Sequence, residues 1–255
     1  MTLQDEGMAV YANYKAHYRL DARCIVAPED LPRVQRESER RRLQAIVRLL
    51  RLTRGQRVLD VGCGSGWLTE QLAGRELFAV ASDLAMAGVK GAEKRLEASV
   101  DKNVRAHTAF LMADVYHLPF APGAFDGVVL SEVAEHLEDL DRALDEIAAV
   151  LRKGGRLVVT VPNNEQIKWH LCIHCNRLTP ANAHIRSFTE QTLIATLEDH
   201  GFAVVRMTKL SNKLSEILRF PVWTRGLPYP LWRVLDGFFN ALLSRSGFLG
   251  AVAVK

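Results

Sequence analysis

The stretch Val58-Leu59-Asp60-Val61-Gly62-Cys63-Gly64-Ser65-Gly66 constrains this chain more than any other. Apolar and β-branched residues from Arg57 to Val61 have the make-up of a buried strand, and a helical pattern begins near Trp67. Between them, glycines at alternate positions permit dihedrals closed to other residues and let a ligand lie against bare backbone. Strand, glycine turn and helix make a nucleotide-binding corner. The spacing is Gly-x-Gly-x-Gly and lacks the dinucleotide fingerprint Gly-x-Gly-x-x-Gly; Asp60, near the strand end, also departs from the usual dinucleotide corner.

The chain then alternates strand and helix. Phe78–Ser82 reads as a second strand ending in Asp83, and Leu84–Ser99 as a helix. Ala106–Met112 reads as a third strand closed by Ala113-Asp114-Val115, and Phe125–Leu130 as a fourth. Leu140–Leu151 is amphipathic and stops at Lys153-Gly154-Gly155, before a fifth strand over Arg156–Val161. A helix over Glu190–His200 and strands over Phe202–Thr208 and Phe248–Val254 complete the series. Such alternation predicts a doubly wound α/β sheet that binds ligands at the carboxyl ends of its strands. There, an acid at the second strand's tip can accept hydrogen bonds from vicinal ribose hydroxyls; Asp83 would equally suit a helix N-cap.

Val-Leu-Asp-Val-Gly-Cys-Gly-Ser-Gly resembles motif I of the class I S-adenosylmethionine (SAM) methyltransferases, and Leu118-Pro119-Phe120 with Phe125-Asp126 resembles the segment leading into that family's fourth strand. The resemblance covers roughly residues 40–255. It implies a Rossmann-like α/β fold: a seven-stranded, mainly parallel sheet with helices on both faces and the last strand antiparallel. It also implies SAM as cofactor, held at Asp60, Gly62, Gly64, Gly66, Asp83 (ribose), Leu84, Asp114 (adenine), Val115 and Ser131.

Ser131-Glu132-Val133-Ala134-Glu135-His136 follows the fourth strand. If it turns helically, Glu132, Glu135 and His136 fall at i, i+3 and i+4 on one face, a set suited to Mg²⁺ or Mn²⁺ and also to Zn²⁺. Acids at a helix start also suit the helix dipole. Glu-x-x-Glu-His is similar to the motif of ubiquinone-biosynthesis O-methyltransferases and of plant small-RNA 2′-O-methyltransferases, in which it is associated with a metal that binds adjacent substrate oxygens. That resemblance makes His184 the fourth ligand, although its spacing to Phe188 differs slightly from both families. Glu132, Glu135 and His136 are the catalytic candidates: with a metal bound, His136 or a carboxylate takes the acceptor's proton, and without one His136 is the candidate general base.

Other stretches have competing readings. Residues 1–30, with Tyr11, Tyr14 and Tyr18, are a candidate arm or cap ahead of a domain over 31–255. A helix over Leu31–Thr53 sets Leu43, Ile46 and Leu50 against many arginines, Arg41 and Arg42 among them; a solvated face is favoured over a polyanion site. Cys172 and Cys175, in a substrate-side loop over 163–188, are read as ordinary thiols rather than a zinc site, which would want a second Cys-x-x-Cys. The apolar insertion over 211–246, with Trp232, Leu235, Phe239 and Leu242 at helical spacing, is read as a lid on the acceptor pocket. Its alternative is peripheral contact with a membrane or a lipid-like acceptor.

With 48% hydrophobic residues, a net charge of +4 and no apolar run long enough to span a bilayer, the chain is expected to be a cytoplasmic globular protein. The expected activity is methyl transfer from SAM to a hydroxyl oxygen of a small-molecule acceptor. RNA 2′-O-methylation is the second reading, disfavoured for want of a nucleic-acid-binding domain. A non-catalytic SAM-binding partner is the reading from another class. Oligomeric state is left open.

Overall fold

The computed structural model describes residues 26–99, 102–171, 178–242 and 246–255; Cys172, Cys175 and the arm up to residue 25 lie outside these. The sheet contains β1 (Arg57–Val61), β2 (Phe78–Asp83), β3 (Thr108–Met112), β4 (Phe125–Ser131), β5 (Leu151–Pro162), β8 (Ala203–Asn212) and β9 (Ser246–Val254). A separate two-stranded ribbon pairs β6 (Trp169–Leu171) with β7 (Leu178–Pro180). The seven-stranded sheet runs in the order β3-β2-β1-β4-β5-β9-β8. Strands β1 to β5 are mutually parallel, and β9 is antiparallel to both β5 and β8. This is the Rossmann-like arrangement that motif I implied.

Alternation along the strands divides the core in two. Leu59, Leu130 and Val159 point to one face, where α5 (Leu140–Val150) and α6 (Glu190–Asp199) cover them with Leu144, Ile147 and Leu193. Val58, Val129 and Val158 point to the other, under Ile46 and Leu50 of α1 (Arg33–Leu50) and Leu72 of α2 (Trp67–Ala73). Burial on both faces explains why these strands read as continuous apolar runs. The chain moves outward from β1 to β3 and returns to β4 beside β1, so a crevice opens at the carboxyl ends of β1 and β4.

Several boundaries differ from the sequence reading. Lys102–Ala106 is a helical turn (α4), so β3 starts at Thr108. Helix α3 spans Met86–Ala98 with Ala85 at its N-cap, so Asp83 is not the cap. Helix α5 stops at Val150 and the chain enters β5 directly; Gly154, at φ +70, lies where the β4–β5 register slips, between Phe125↔Leu151 and Gly127↔Arg156. Strand β8 continues to Asn212, so the insertion proper begins at Lys213, with α7 (Lys213–Ile217), α8 (Phe220–Trp223) and α9 (Tyr229–Leu242).

Arg33 and Arg48 lie on a solvated face of α1, but two of its arginines leave that face. Arg41 is buried, with Nη2 donating to the carbonyls of Thr224 (2.7 Å) and Leu227 (2.8 Å), which anchors the insertion to α1. Arg42, the next residue, is buried too and enters the candidate site. Helical periodicity placed charge opposite the main apolar stripe; the insertion then folded over part of it.

Candidate active site

The glycine corner forms as expected, with Gly62, Gly64 and Gly66 at φ +71, +49 and +75. Two of them answer to packing inside the protein as well as to a ligand. A Cβ on Gly62 would lie 2.5 Å from Val133 Cγ2, and one on Gly66 2.6 Å from the Ala92 methyl of α3. Gly62 therefore seats the turn after β1 directly against the turn after β4. Ser82 O accepts from both Gly62 N–H (2.8 Å) and Cys63 N–H (2.9 Å), which ties that turn to β2.

Asp83 stands at the tip of β2. Its Oδ2 accepts from Gly64 N–H (3.0 Å) and its Oδ1 from Ala85 N–H (2.8 Å), joining the two loops that border the crevice. Burial raises its pKa, and these two hydrogen bonds counter that rise. Each oxygen still has a lone pair to offer a hydroxyl donor. Asp114, at the tip of β3, accepts from Tyr116 N–H through Oδ1 at 3.1 Å. Leu84 and Val115 follow these acids, half-buried, on the same edge. Asp60 lies deeper: it accepts from Thr69 Oγ1 at 2.6 Å, pinning α2 to β1, and burial pushes its carboxyl up to about 6. Two carboxylates at adjacent strand tips, matched to hydroxyl and amino donors, fit an adenosyl group.

The turn after β4 departs from the sequence reading. Glu132 adopts a left-handed backbone (φ +55) and only Ala134–His136 turns, as a short 3-10 helix. The face shared by Glu132, Glu135 and His136 is therefore broken. Glu135, His136 and His184 come together, with potential ligand atoms within 4.8 Å of one another, while Glu132 is not among them. The two imidazoles meet edge to face at 4.8 Å between ring centres. The His184 segment is stitched to the turn by Ile185 N–H and Arg186 N–H, which both donate to the Glu135 carbonyl (2.9 and 3.2 Å).

Glu135 is fully buried, and neither carboxylate oxygen has a hydrogen-bond partner. Burial, and then the charge of Glu132, push its pKa well above the usual carboxylate range. A carboxylate so placed takes either a proton or a cation. The histidines favour the cation. His136 Nδ1 lies 3.2 Å from the Ala183 carbonyl, which can only accept, so Nδ1 carries the hydrogen. His184 Nδ1 is hydrogen-bonded to Glu165. In each ring Nδ1 is thus oriented by an oxygen, the usual support for a metal-ligating histidine. The donor set of one carboxylate and two imidazoles fits a divalent cation.

Glu132 instead faces Arg42, whose Nη1 is 3.2 Å from Oε1 as an ion pair without hydrogen-bond alignment. Arg42 also donates to Thr160 Oγ1 (3.0 Å), Ser131 Oγ (3.1 Å) and Glu39 Oε2 (2.9 Å). Burial alone would lower the guanidinium's pKa, but Glu39 and Glu132 outweigh it and raise it. Burial raises Glu132 to about 7 against the pull of Arg42. Beside this cluster a cavity of about 830 Å³ is lined by Glu39, Glu132, Glu165, Lys168, His184 and Phe248. Arg42 and Glu165 escaped the sequence reading, because neither stands in a motif.

Sheet order, glycine corner and strand-tip acids define a class I SAM-dependent methyltransferase. Residues 34–207 match the family described as "Methyltransferase domain", and the chain belongs to it. It is 31% identical to O-methyltransferase rstn1 of Aspergillus nomiae over 62% of this chain and 69% of that protein. It is 32% identical to the mitochondrial ubiquinone biosynthesis O-methyltransferase of Homo sapiens, over 59% of this chain but only 42% of that protein. The structure of phosphoethanolamine N-methyltransferase 2 from Haemonchus contortus, in complex with S-adenosyl-L-methionine, shares the fold at a TM-score of 0.60 and 18% identity, over 84% of this chain and 52% of that one.

Proposed function

We propose that this enzyme transfers the methyl group of SAM to a hydroxyl oxygen of a small-molecule acceptor with adjacent oxygens, assisted by a divalent cation. The buried, partnerless carboxylate of Glu135 between two oriented imidazoles carries this reading. The similarity to proteins named as O-methyltransferases, one acting in ubiquinone biosynthesis, supports oxygen as the accepting atom.

Glu135, His136 and His184 would hold the cation, which when bound lowers the pKa of an acceptor hydroxyl. Gly62, Gly64 and Gly66 shape the cofactor corner, Asp83 meets the ribose and Asp114 the adenine. Glu165 and the Ala183 carbonyl orient both imidazoles through Nδ1. Arg42 holds Glu132 at the edge of the acceptor cavity, where a carboxyl near neutrality in pKa can take the hydroxyl proton. Holding both reactants in one crevice supplies orientation. The RNA reading loses support because Arg41 and Arg42 are committed inside the protein.

The test is turnover of a catechol with SAM before and after chelation, with metal content measured on the same sample. Activity lost on chelation and restored by Mg²⁺ is the expected result. Full activity in a chelator overturns the metal-assisted route.

A further inference from the structure

Helix α9 has two apolar faces, and only one is covered. Trp232, Asp236 and Phe239 turn inward over β8, with Asp236 bonded to Arg233 at 2.6 Å. Leu231, Val234, Leu235, Phe238 and Leu242 recur at i, i+3, i+4, i+7 and i+11 on one stripe, and all are exposed, Val234 at 71% and Phe238 at 61%. Trp223, at the end of α8, is 81% exposed, and Ile217 of α7 is exposed as well. The exposed stripe is apolar throughout, and a patch of this kind marks an interaction surface.

Charge identifies the covering. Among the described residues of the insertion, the exposed charged side chains are Lys213, Arg219 and Arg225. Its two acids are turned in: Glu216 accepts from Ser38 Oγ at 2.5 Å, and Asp236 is buried. An exposed aromatic and aliphatic stripe on a segment whose exposed charges are all cationic matches an anionic bilayer surface. A second copy fits less well, since a two-fold interface would set these cations against the same patch of the other chain. Fourteen residues of helix span about 21 Å, short of the roughly 30 Å hydrocarbon core, and among the described residues no helix is long and apolar enough to cross a membrane.

From this juxtaposition we infer that the outer face of α7–α9 docks the enzyme on anionic phospholipid, with α9 lying in the interface plane. Docking is independent of methyl transfer and can fail or succeed apart from it.

The test is co-sedimentation of the full chain with vesicles of phosphatidylcholine alone or mixed with phosphatidylglycerol, with tryptophan emission as a second readout. The protein should pellet with the anionic vesicles, less so as salt rises, and the emission should shift to shorter wavelength. Trp223→Phe should remove most of that shift. Val234→Gln with Phe238→Gln changes exposed positions only, so the fold should persist while vesicle binding is lost. Arg219→Asn with Arg225→Gln should weaken anionic binding roughly thirtyfold, about fivefold per cation. Three results would overturn the inference: wild-type protein left in the supernatant, glutamine variants that bind as wild type, or a stable dimer that Phe238→Gln dissociates. Equal binding to neutral vesicles would overturn the role of the cations.

Discussion

Arg42 lies 3.2 Å from the Glu132 carboxylate, although they are carried by the first helix and by the turn after the fourth strand. The guanidinium simultaneously reaches Ser131, Thr160 and Glu39, and stacks 4.7 Å from the Phe248 ring centre. One side chain thus connects α1, β4, β5 and β9 beside the cavity that Glu39 and Glu132 line. It also diverts Glu132 from the two histidines.

Breaking one partner of a buried ion pair leaves the other charge uncompensated, at a cost of about 3–5 kcal/mol. Arg42→Met should therefore lower stability by that order in urea unfolding at neutral pH. Adding Glu132→Gln should recover part of the loss, because the orphaned charge is removed. A single-variant cost below about 1 kcal/mol would mean that the pair is solvated and does not hold the rim.

The difference between Asp83 and Arg42 shows what the sequence could reveal. Asp83 is legible because its position follows from local order: an acid at the tip of a strand after a glycine corner. Arg42 sits among many arginines, and only the tertiary fold decides that this one points inward. Glu132 read as a ligand because helical spacing was assumed, and a left-handed φ of +55 removed that spacing. Glu165 bonds to His184, nineteen positions along the chain, with no pattern to announce the pair. In α9 the periodicity of Trp232 and Phe239 found the inner face, but Leu235 and Leu242 of the same expected stripe face outward.

Glu165 provides a test of the cation site from outside the ligand set. A carboxylate that orients a ligating imidazole typically contributes 10–100-fold to metal affinity. Glu165→Gln should weaken divalent-ion binding by roughly that factor, and Glu135→Gln with His184→Ala should abolish it. SAM affinity by calorimetry should stay unchanged in both, since the strand-tip acids are untouched. Undiminished metal content in the Glu135→Gln, His184→Ala protein would refute the site.

Asp60 predicts a pH dependence of stability. Its folded pKa, about 6, is above the usual aspartate value, so the folded state binds the proton more tightly than the unfolded chain does. The stability from this group is fully present below about pH 4 and is lost as pH rises through about 6. The upper bound is about 3 kcal/mol. Asp60→Asn keeps an acceptor for Thr69 and cannot titrate, so its unfolding free energy should rise less on acidification than that of the wild type. Parallel profiles for the two cofactor-free proteins would show that Asp60 ionises normally.

The Asp83 assignment can be tested without touching its charge. Gly88 lies on α3 beside that carboxylate, and a Cβ there would come within 2.8 Å of both Cγ and Oδ2. Alanine favours a helix interior over glycine by roughly 1 kcal/mol, so helix propensity alone would make Gly88→Ala stabilising. The collision displaces Asp83 from the Gly64 and Ala85 N–H groups and from any ribose it holds. Hydrogen bonds to a charged group contribute about 1.5–3 kcal/mol, so SAM affinity should fall by one to two orders of magnitude. Asp83→Asn, which removes the charge and keeps the volume, should lose affinity to a similar degree. If calorimetry gives the wild-type dissociation constant for Asp83→Asn, the carboxylate only ties the two loops together and the ribose contact lies elsewhere. If Asp83→Asn alone weakens SAM, the Asp83 side chain has room to move and Gly88 is not what fixes it.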